Sequence, residues 1–227
     1  MSAESARDRA RIARRGLASR ASLDRTTHAM LLRQLYVALF ELRRFDDARS
    51  IAESAVDLRV LPDVIHHDAA RAAAAAGDLD AAVLHLRTAA RRAPASRRSF
   101  HWWTLGSMLF HAQRYDEAIA ALERAVRWSS NERPLYAAHL ALVRIASGAR
   151  PEHLQRAIDE LASAPCGQGY GRFVLGHLAY AAREFRAARR YLDAFVRRTE
   201  SSPGAMAVAL EPEIRMAKAT LAKMADA

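Results

Sequence analysis

Along most of this chain, apolar and polar positions recur with the period of an α-helix rather than the alternation of a strand. Trp102, Leu105, Gly106 and Leu109 stand at i, i+3, i+4 and i+7, so they line one face of a helix. Ala118, Leu122 and Ala125 continue the spacing on a second predicted helix. Gly106 lets that helix approach closely, with Ala118 and Ala125 as its small counterparts. Asp116 and Glu117 fall in the first turn of the second helix, where negative charge suits the helix dipole. From Pro212 to Met224, Ile214, Ala217, Leu221 and Met224 share one side of a predicted helix while Lys218 and Lys223 share another, the pattern of a terminal cap.

The helical pattern comes in copies. Phe45-Asp46-Asp47-Ala48, Leu79-Asp80-Ala81-Ala82, Tyr115-Asp116-Glu117-Ala118 and Phe185-Arg186-Ala187-Ala188 share an aromatic or Leu followed by an anchor alanine, and Ala157 anchors a degenerate fifth copy. The anchors 48, 82, 118, 157 and 188 lie 34, 36, 39 and 31 residues apart. Five repeats of 34 account for most of the 227 residues, leaving a basic arm, insertions and a last helix.

The unit from Ser99 to about Glu132 combines Trp102-x2-Leu105-Gly106-x2-Leu109, Tyr115, Ala118-x3-Leu122 and Ala125. It resembles the tetratricopeptide repeat (TPR) family, whose 34-residue helix-turn-helix carries that pattern. The second unit contributes Gly77, Ala82, Leu86, Ala89 and Pro94, and the fifth Leu175-Gly176, Ala179, Phe185, Ala188 and Leu192. Tyr36 replaces the small residue in the first unit, and Ala149-Arg150-Pro151-Glu152 is an insertion at the turn of the fourth. The resemblance covers roughly residues 29–202. It implies an all-α fold, a right-handed solenoid of helix-turn-helix repeats with a C-terminal capping helix. The expected division is a basic arm at 1–23, a solenoid of about five repeats at 24–203 and the capping helix at 204–227.

Composition narrows the class. The chain has 9 Gly and 7 Pro, too few for the turns of an all-β fold. Cys166 is the single cysteine, which excludes an internal disulfide framework and a Cys-rich zinc site. No apolar run approaches the roughly 18 residues of a membrane span, and the N-terminus has no apolar core of the secretory type. A cytoplasmic protein is the expectation. The bias of 33 Arg over 2 Lys in an Ala-rich chain points to a GC-rich, bacterial genome.

The net charge of +10 is less informative than its size suggests. Seven arginines stand against Glu4, Asp8 and Asp24 between Met1 and Arg25, so a good part of the excess sits in the arm. Arg91, Arg92, Arg124, Arg127, Arg197 and Arg198 fall where helices end, favoured there by about 0.3–1 kcal/mol each. In the arm, Arg7, Arg11, Arg14 and Arg15 share a helical face, but Ile12 and Leu17 are its only large apolar residues. That is too little for membrane insertion. The arm reads as a solvated, fraying tail, with contact to nucleic acid, anionic lipid or an acidic partner as the alternatives.

The resemblance also implies that the first helix of each pair lines a concave, partner-binding surface. Positions off the core stripe of those helices are Met30, Arg33, Val37 and Phe40; Val64, His67, Arg71 and Ala74; Phe100, Trp103, Ser107 and Phe110; and Tyr170, Phe173, His177 and Tyr180. Aromatic side chains and Arg are enriched at interfaces, so Arg33, His67, Arg71, Phe100, Trp103, Phe110, Tyr170, Phe173, His177 and Tyr180 are the candidate groove. The competing reading is that these aromatics pack on neighbouring helices. A chaperone-tail carboxylate clamp is not expected: the aligned residues are Arg33, Val37, Asp68, Phe100 and Thr104, of which Arg33 alone fits, and Asp68 repels a carboxylate. The expected target is a partner protein or peptide with apolar anchors and acidic residues that meet Arg33, Arg71 and Arg144.

Catalytic and cofactor chemistry finds little support. His66 and His67 are adjacent and so point to different faces, no HExxH spacing exists, and no His pair has a third ligand, so no metal is expected. Cys166 and His177 have nothing to orient the histidine and no oxyanion hole. Gly167-Gln168-Gly169-Tyr170-Gly171 superficially resembles a phosphate loop, but no strand precedes it; it reads as a flexible turn and hinge between helical pairs. The expectation is a non-enzymatic adaptor or scaffold without a cofactor, of which a subunit of a secretion or motility assembly is a special case. The alternative is a regulatory or nucleic-acid-associated TPR protein that uses its Arg-rich surface.

Overall fold

A computed structural model describes residues 3–19, 22–150, 152–202 and 204–225. Met1, Ser2, Arg20 and Ala21 of the expected arm, Pro151 of the expected insertion, Pro203 at the end of the expected solenoid and Asp226 and Ala227 of the expected cap lie outside these residues. The described residues form helices joined by short turns and contain no strand. The chain divides into two compact units, Met1–His101 with Pro203–Ala209, and Trp102–Ser202 with Leu210–Ala227.

In the first unit, α1 (Ala3–Ala18) packs on α2 (Arg25–Glu41), followed by α3 (Phe45–Val56), α4 (Pro62–Ala75), α5 (Leu79–Arg92) and the start of α6 (Ala95–His111). The short α12 (Ala205–Ala209) lies against α2. The expectation of a fraying tail is corrected for α1. Ala6, Ala10 and Ala13, at i, i+4 and i+7, are buried, and the Leu31 side chain covers Gly16. Small residues rather than large apolar ones make this contact, so the low count of Ile and Leu gave no sign of it. The Arg9 guanidinium also pairs with Glu41 on α2.

In the second unit, the remainder of α6 leads into α7 (Tyr115–Trp128), α8 (Arg133–Ala146), α9 (Leu154–Ser163), α10 (Gly171–Ala181), α11 (Phe185–Glu200) and α13 (Glu211–Lys223). A 3-10 turn at Pro165–Gly167 precedes α10. A Cβ on Gly106 would sit 2.5 Å from Cγ of Leu122, and one on Gly176 would sit 2.5 Å from Cγ of Leu192. The close approach expected at Gly106 is thus present in both pairs. The glycine run before α10 is a tight turn rather than a free one: a Cβ on Gly167 would meet the Leu161 carbonyl oxygen at 2.2 Å, and one on Gly171 the Cys166 carbonyl oxygen at 2.3 Å.

One turn recurs along the chain. Arg43, Gly77, Gln113, Gly148 and Arg183 all have positive φ, and they stand 34 to 36 residues apart. The residue after each donates its N–H to a carbonyl five residues back, as Arg44 does to Leu39 and Arg114 to Leu109. This is the Schellman closure, which satisfies carbonyls that the helix end leaves open. The helix dipole is met as the sequence predicts by Asp116 and Glu117 in a first turn and by Arg91, Arg92, Arg127, Arg197 and Arg198 in last turns, with Asp46 and Asp47 a further first-turn pair; Arg124 lies a turn before the helix end.

Candidate functional site

Two clusters of side chains lie on the first helices of the pairs, one in each unit. In the first unit, Arg33 on α2 donates from Nε to Oδ2 of Asp68 on α4 at 2.6 Å. Burial pushes the Asp68 carboxyl up, and the Arg33 hydrogen bond works against that rise. With its charge met by a buried aspartate, Arg33 is a poor seat for a free terminal carboxylate. Arg71, one turn along from His67, lays its guanidinium over the Phe40 ring at 5.6 Å. His67 stacks on Phe100 with ring centroids 5.3 Å apart and 24° between planes. Its Nδ1 lies 3.3 Å from Nδ1 of His101, a contact that needs one neutral ring to donate and the other to accept.

Behind this layer, Nε2 of His101 lies 3.4 Å from Oδ2 of Asp63, and Arg97 donates to both Asp63 oxygens at 2.8 and 3.2 Å. Burial pushes Asp63 up, but the Arg97 and His101 hydrogen bonds outweigh it and hold the carboxyl below its usual range. His67 is pushed down to about 3, first by burial and then by Arg71 and His101. The ring facing Phe100 is therefore neutral at physiological pH. Phe100 itself is 41% exposed.

In the second unit the expected groove residues come together, and most are covered. Trp103 donates from Nε1 to Nδ1 of His139 at 3.0 Å, stacks on Tyr136 and meets Tyr170 edge-on at 4.8 Å. Phe110 and His177 are buried, and Phe173 is 0% exposed. Phe173 meets His177 at 4.6 Å and Phe195 at 5.4 Å. Burial, then His111 and His177, lowers His139 to about 3; burial, then His111, lowers His177 to about 4. Both rings are neutral, and Nε2 of each lacks a hydrogen-bond partner.

A residue of α13 completes this cluster. Oε1 of Glu213 accepts from Ser107 Oγ at 3.3 Å and from Tyr170 OH at 3.2 Å, and lies 3.2 Å from Nε2 of His111. Ser107 and Tyr170 are themselves 2.8 Å apart. Burial raises the Tyr170 hydroxyl well above its ordinary value, and Glu213 raises it further.

Of the remaining expected residues, Tyr180 is partly buried against Phe185, and Arg144 pairs with Glu123 at 2.9 Å instead of joining the groove side chains. Sequence reasoning missed His101, His139 and Glu213. His101 adjoins Phe100, a position that periodicity marks; no groove position is marked within a turn of His139, and Glu213 lies outside the apolar residues expected of the cap. Cys166 is a free thiol in the turn before α10. Among the described residues, no group of three or more His, Cys, Asp or Glu side chains gathers as a metal site requires, and no helix is long and apolar enough to cross a membrane.

No curated protein matches the sequence. A solved structure, from a functional characterization of Pseudomonas aeruginosa pilF, is similar over 88% of this chain and 90% of that chain, with a TM-score of 0.56 and 18% identity. At that identity the likeness concerns the fold. A tetratricopeptide repeat family model matches residues 67–132 and 173–220, together half of the chain. These segments fall on the helix pairs with the recurrent left-handed turn and the glycine contacts, and the chain belongs to the tetratricopeptide repeat family.

Proposed function

We propose that the protein is a cytoplasmic, non-enzymatic adaptor that holds a segment of a partner protein on the first-helix face of its repeats. Tetratricopeptide repeats are scaffolds for binding other proteins and peptides, and the reading extends that general role to named residues. The observation that supports it best is the layer made by Arg71, His67 and Phe100. Arg71 covers the buried Phe40 ring and lies one helical turn from His67, whose neutral imidazole, lowered in part by the Arg71 charge, stacks on the half-exposed Phe100. A cation one turn from a histidine that carries an exposed phenyl ring suits a segment with an apolar anchor and an acidic residue.

The test is affinity capture from the native host, followed by titration of the identified partner against Arg71→Glu and Phe100→Ala. Loss of at least tenfold in affinity in both variants, at unchanged melting temperature, supports the reading. Affinity that falls steeply with salt and ignores both substitutions favours the nucleic-acid alternative.

A further inference from the structure

We propose that α13 is a resident ligand of the second unit's groove, and that a partner helix with a carboxylate in its first turn binds there by displacing it. The inference rests on the reading that partners seat on the first-helix face, and it names the chemistry of the seat.

The face that α13 turns inward is not that of an ordinary cap. Glu213, Ala217 and Thr220 are its buried residues, at i, i+4 and i+7, whereas Ile214, Leu221 and Met224 are only partly buried. The buried face shares Ala217 with the expected apolar stripe but is turned from it toward Glu213 and Thr220. The contact instead centres on a carboxyl group that is 5% exposed and that no Lys or Arg meets among the described residues. Its hydrogen-bond partners are two hydroxyls, and the His111 imidazole lies close by without a hydrogen bond to it. Ser107, Tyr170 and Oε1 of Glu213 form a triangle of three contacts served by two hydroxyl protons, and Oε2 of Glu213 has no partner.

Burying a carboxyl on such terms is costly, and the residues fully buried with it, Ala217 and Thr220, return little apolar area, leaving the partly buried Ile214, Leu221 and Met224 to hold the helix. The Lys218–Glu200 pair and the Arg189 bond to the Met224 carbonyl lie at the surface and add little. Detachment of α13 therefore costs less than detachment of a helix with a Leu or Phe stripe. It also uncovers the side chains that the repeat pattern marks for partner contact: Ser107 and Tyr170, with Phe173 behind them. A partner that places an Asp or Glu on the same hydroxyls and His111 replaces what it removes.

The probe is a fluorescent peptide of residues 210–225, titrated against the full chain and against the full-length Ala217→Asp variant, which puts a charge into the buried face of α13. The expected result is at least tenfold tighter binding to the variant than to the wild type, where the tethered helix competes. A peptide carrying Glu213→Gln is expected to lose at least tenfold in affinity. A folded variant that binds neither peptide, or that binds both equally, overturns the proposal. Should Ala217→Asp fail to fold, hydrogen exchange of the wild type decides: amides of 211–223 must exchange faster than those of α10 and α11, and equal rates overturn it. None of these outcomes depends on the natural partner, so failure here leaves the Arg71 and Phe100 test of the adaptor reading intact.

Discussion

The indole Nε1 of Trp103 donates a 3.0 Å hydrogen bond to Nδ1 of His139, a histidine with no exposed surface. This ties a residue that periodicity places on the groove to the interior of the second unit. Trp103→Phe keeps an aromatic ring but removes the donor, leaving both His139 nitrogens buried without a partner. The expected cost is about 1–3 kcal/mol, and about 3–5 kcal/mol for Trp103→Ala, read from denaturant unfolding. An unchanged midpoint in both variants would show that the indole serves the surface alone.

Acid is expected to destabilise the fold through its neutral histidines. His67 and His139 are lowered to about 3, and His66 and His177 to about 4, with burial the first cause in each case. The unfolded chain takes up protons at these rings below its ordinary value near 6.5 while the folded chain does not. Stability is therefore fully present above about pH 6.5 and falls as pH drops toward 4, by up to roughly 1.4 kcal/mol per pH unit for each of the buried rings of His67, His139 and His177, and by less for the half-buried His66, which solvent screens. Unfolding midpoints at pH 7.5, 6 and 5 check this. His177→Leu, which removes a buried nitrogen without a partner, should flatten the acid limb and cost little at pH 7.5.

The recurrent left-handed turn gives a pair of opposite predictions. Gly77 has φ 88° with open space around its Cα, so Gly77→Ala costs about 1 kcal/mol from backbone strain alone. Gln113 adopts φ 59° at the equivalent position without being glycine. Gln113→Gly is expected to stabilise by about 0.5–1 kcal/mol, with relief of strain partly offset by unfolded-chain entropy. Thermal melts of the two variants should move in opposite directions.

The repeat register was legible because a helix pair has fixed needs: a small residue at the crossing, an anchor alanine opposite, and a turn between them. The anchors nonetheless drift, at 39 and 31 residues in the later units, where the turn positions hold to 34–36. The turn accepts Arg and Gln as well as Gly, so its geometry is invisible to a residue pattern. Two other features were hidden for a shared reason. The α1 contact is made by Ala6, Ala10 and Ala13, and the inward face of α13 by Glu213, Ala217 and Thr220. Neither stripe contains a large apolar residue, and hydrophobic periodicity cannot see a face without one. Arg33 and Arg144 show the converse limit. Both are candidate acid-binding cations by position, yet Asp68 and Glu123 already hold them.

The two glycine contacts test whether the second unit is built as the repeat pattern implies. A Cβ on Gly106 would lie 2.5 Å from Leu122 Cγ and 2.9 Å from its Cδ2, with the Ala118 carbonyl oxygen at 3.3 Å. Leu122 is fully buried and cannot swing into solvent. Gly106→Ala should therefore cost about 1–3 kcal/mol, against the gain of up to ~1 kcal/mol that alanine normally brings to a helix interior. Leu122→Ala alone should cost about 2–5 kcal/mol by leaving a cavity. Because the new methyl group enters the space the leucine vacates, the double variant should be more stable than the sum of the two costs predicts, with a coupling of about 0.5–3 kcal/mol. Strict additivity in that cycle would mean that α6 and α7 do not meet at Gly106. Gly176→Ala with Leu192→Ala should behave in the same way between α10 and α11, where a Cβ added to the glycine would lie 2.5 Å from both Leu192 Cγ and Cδ2.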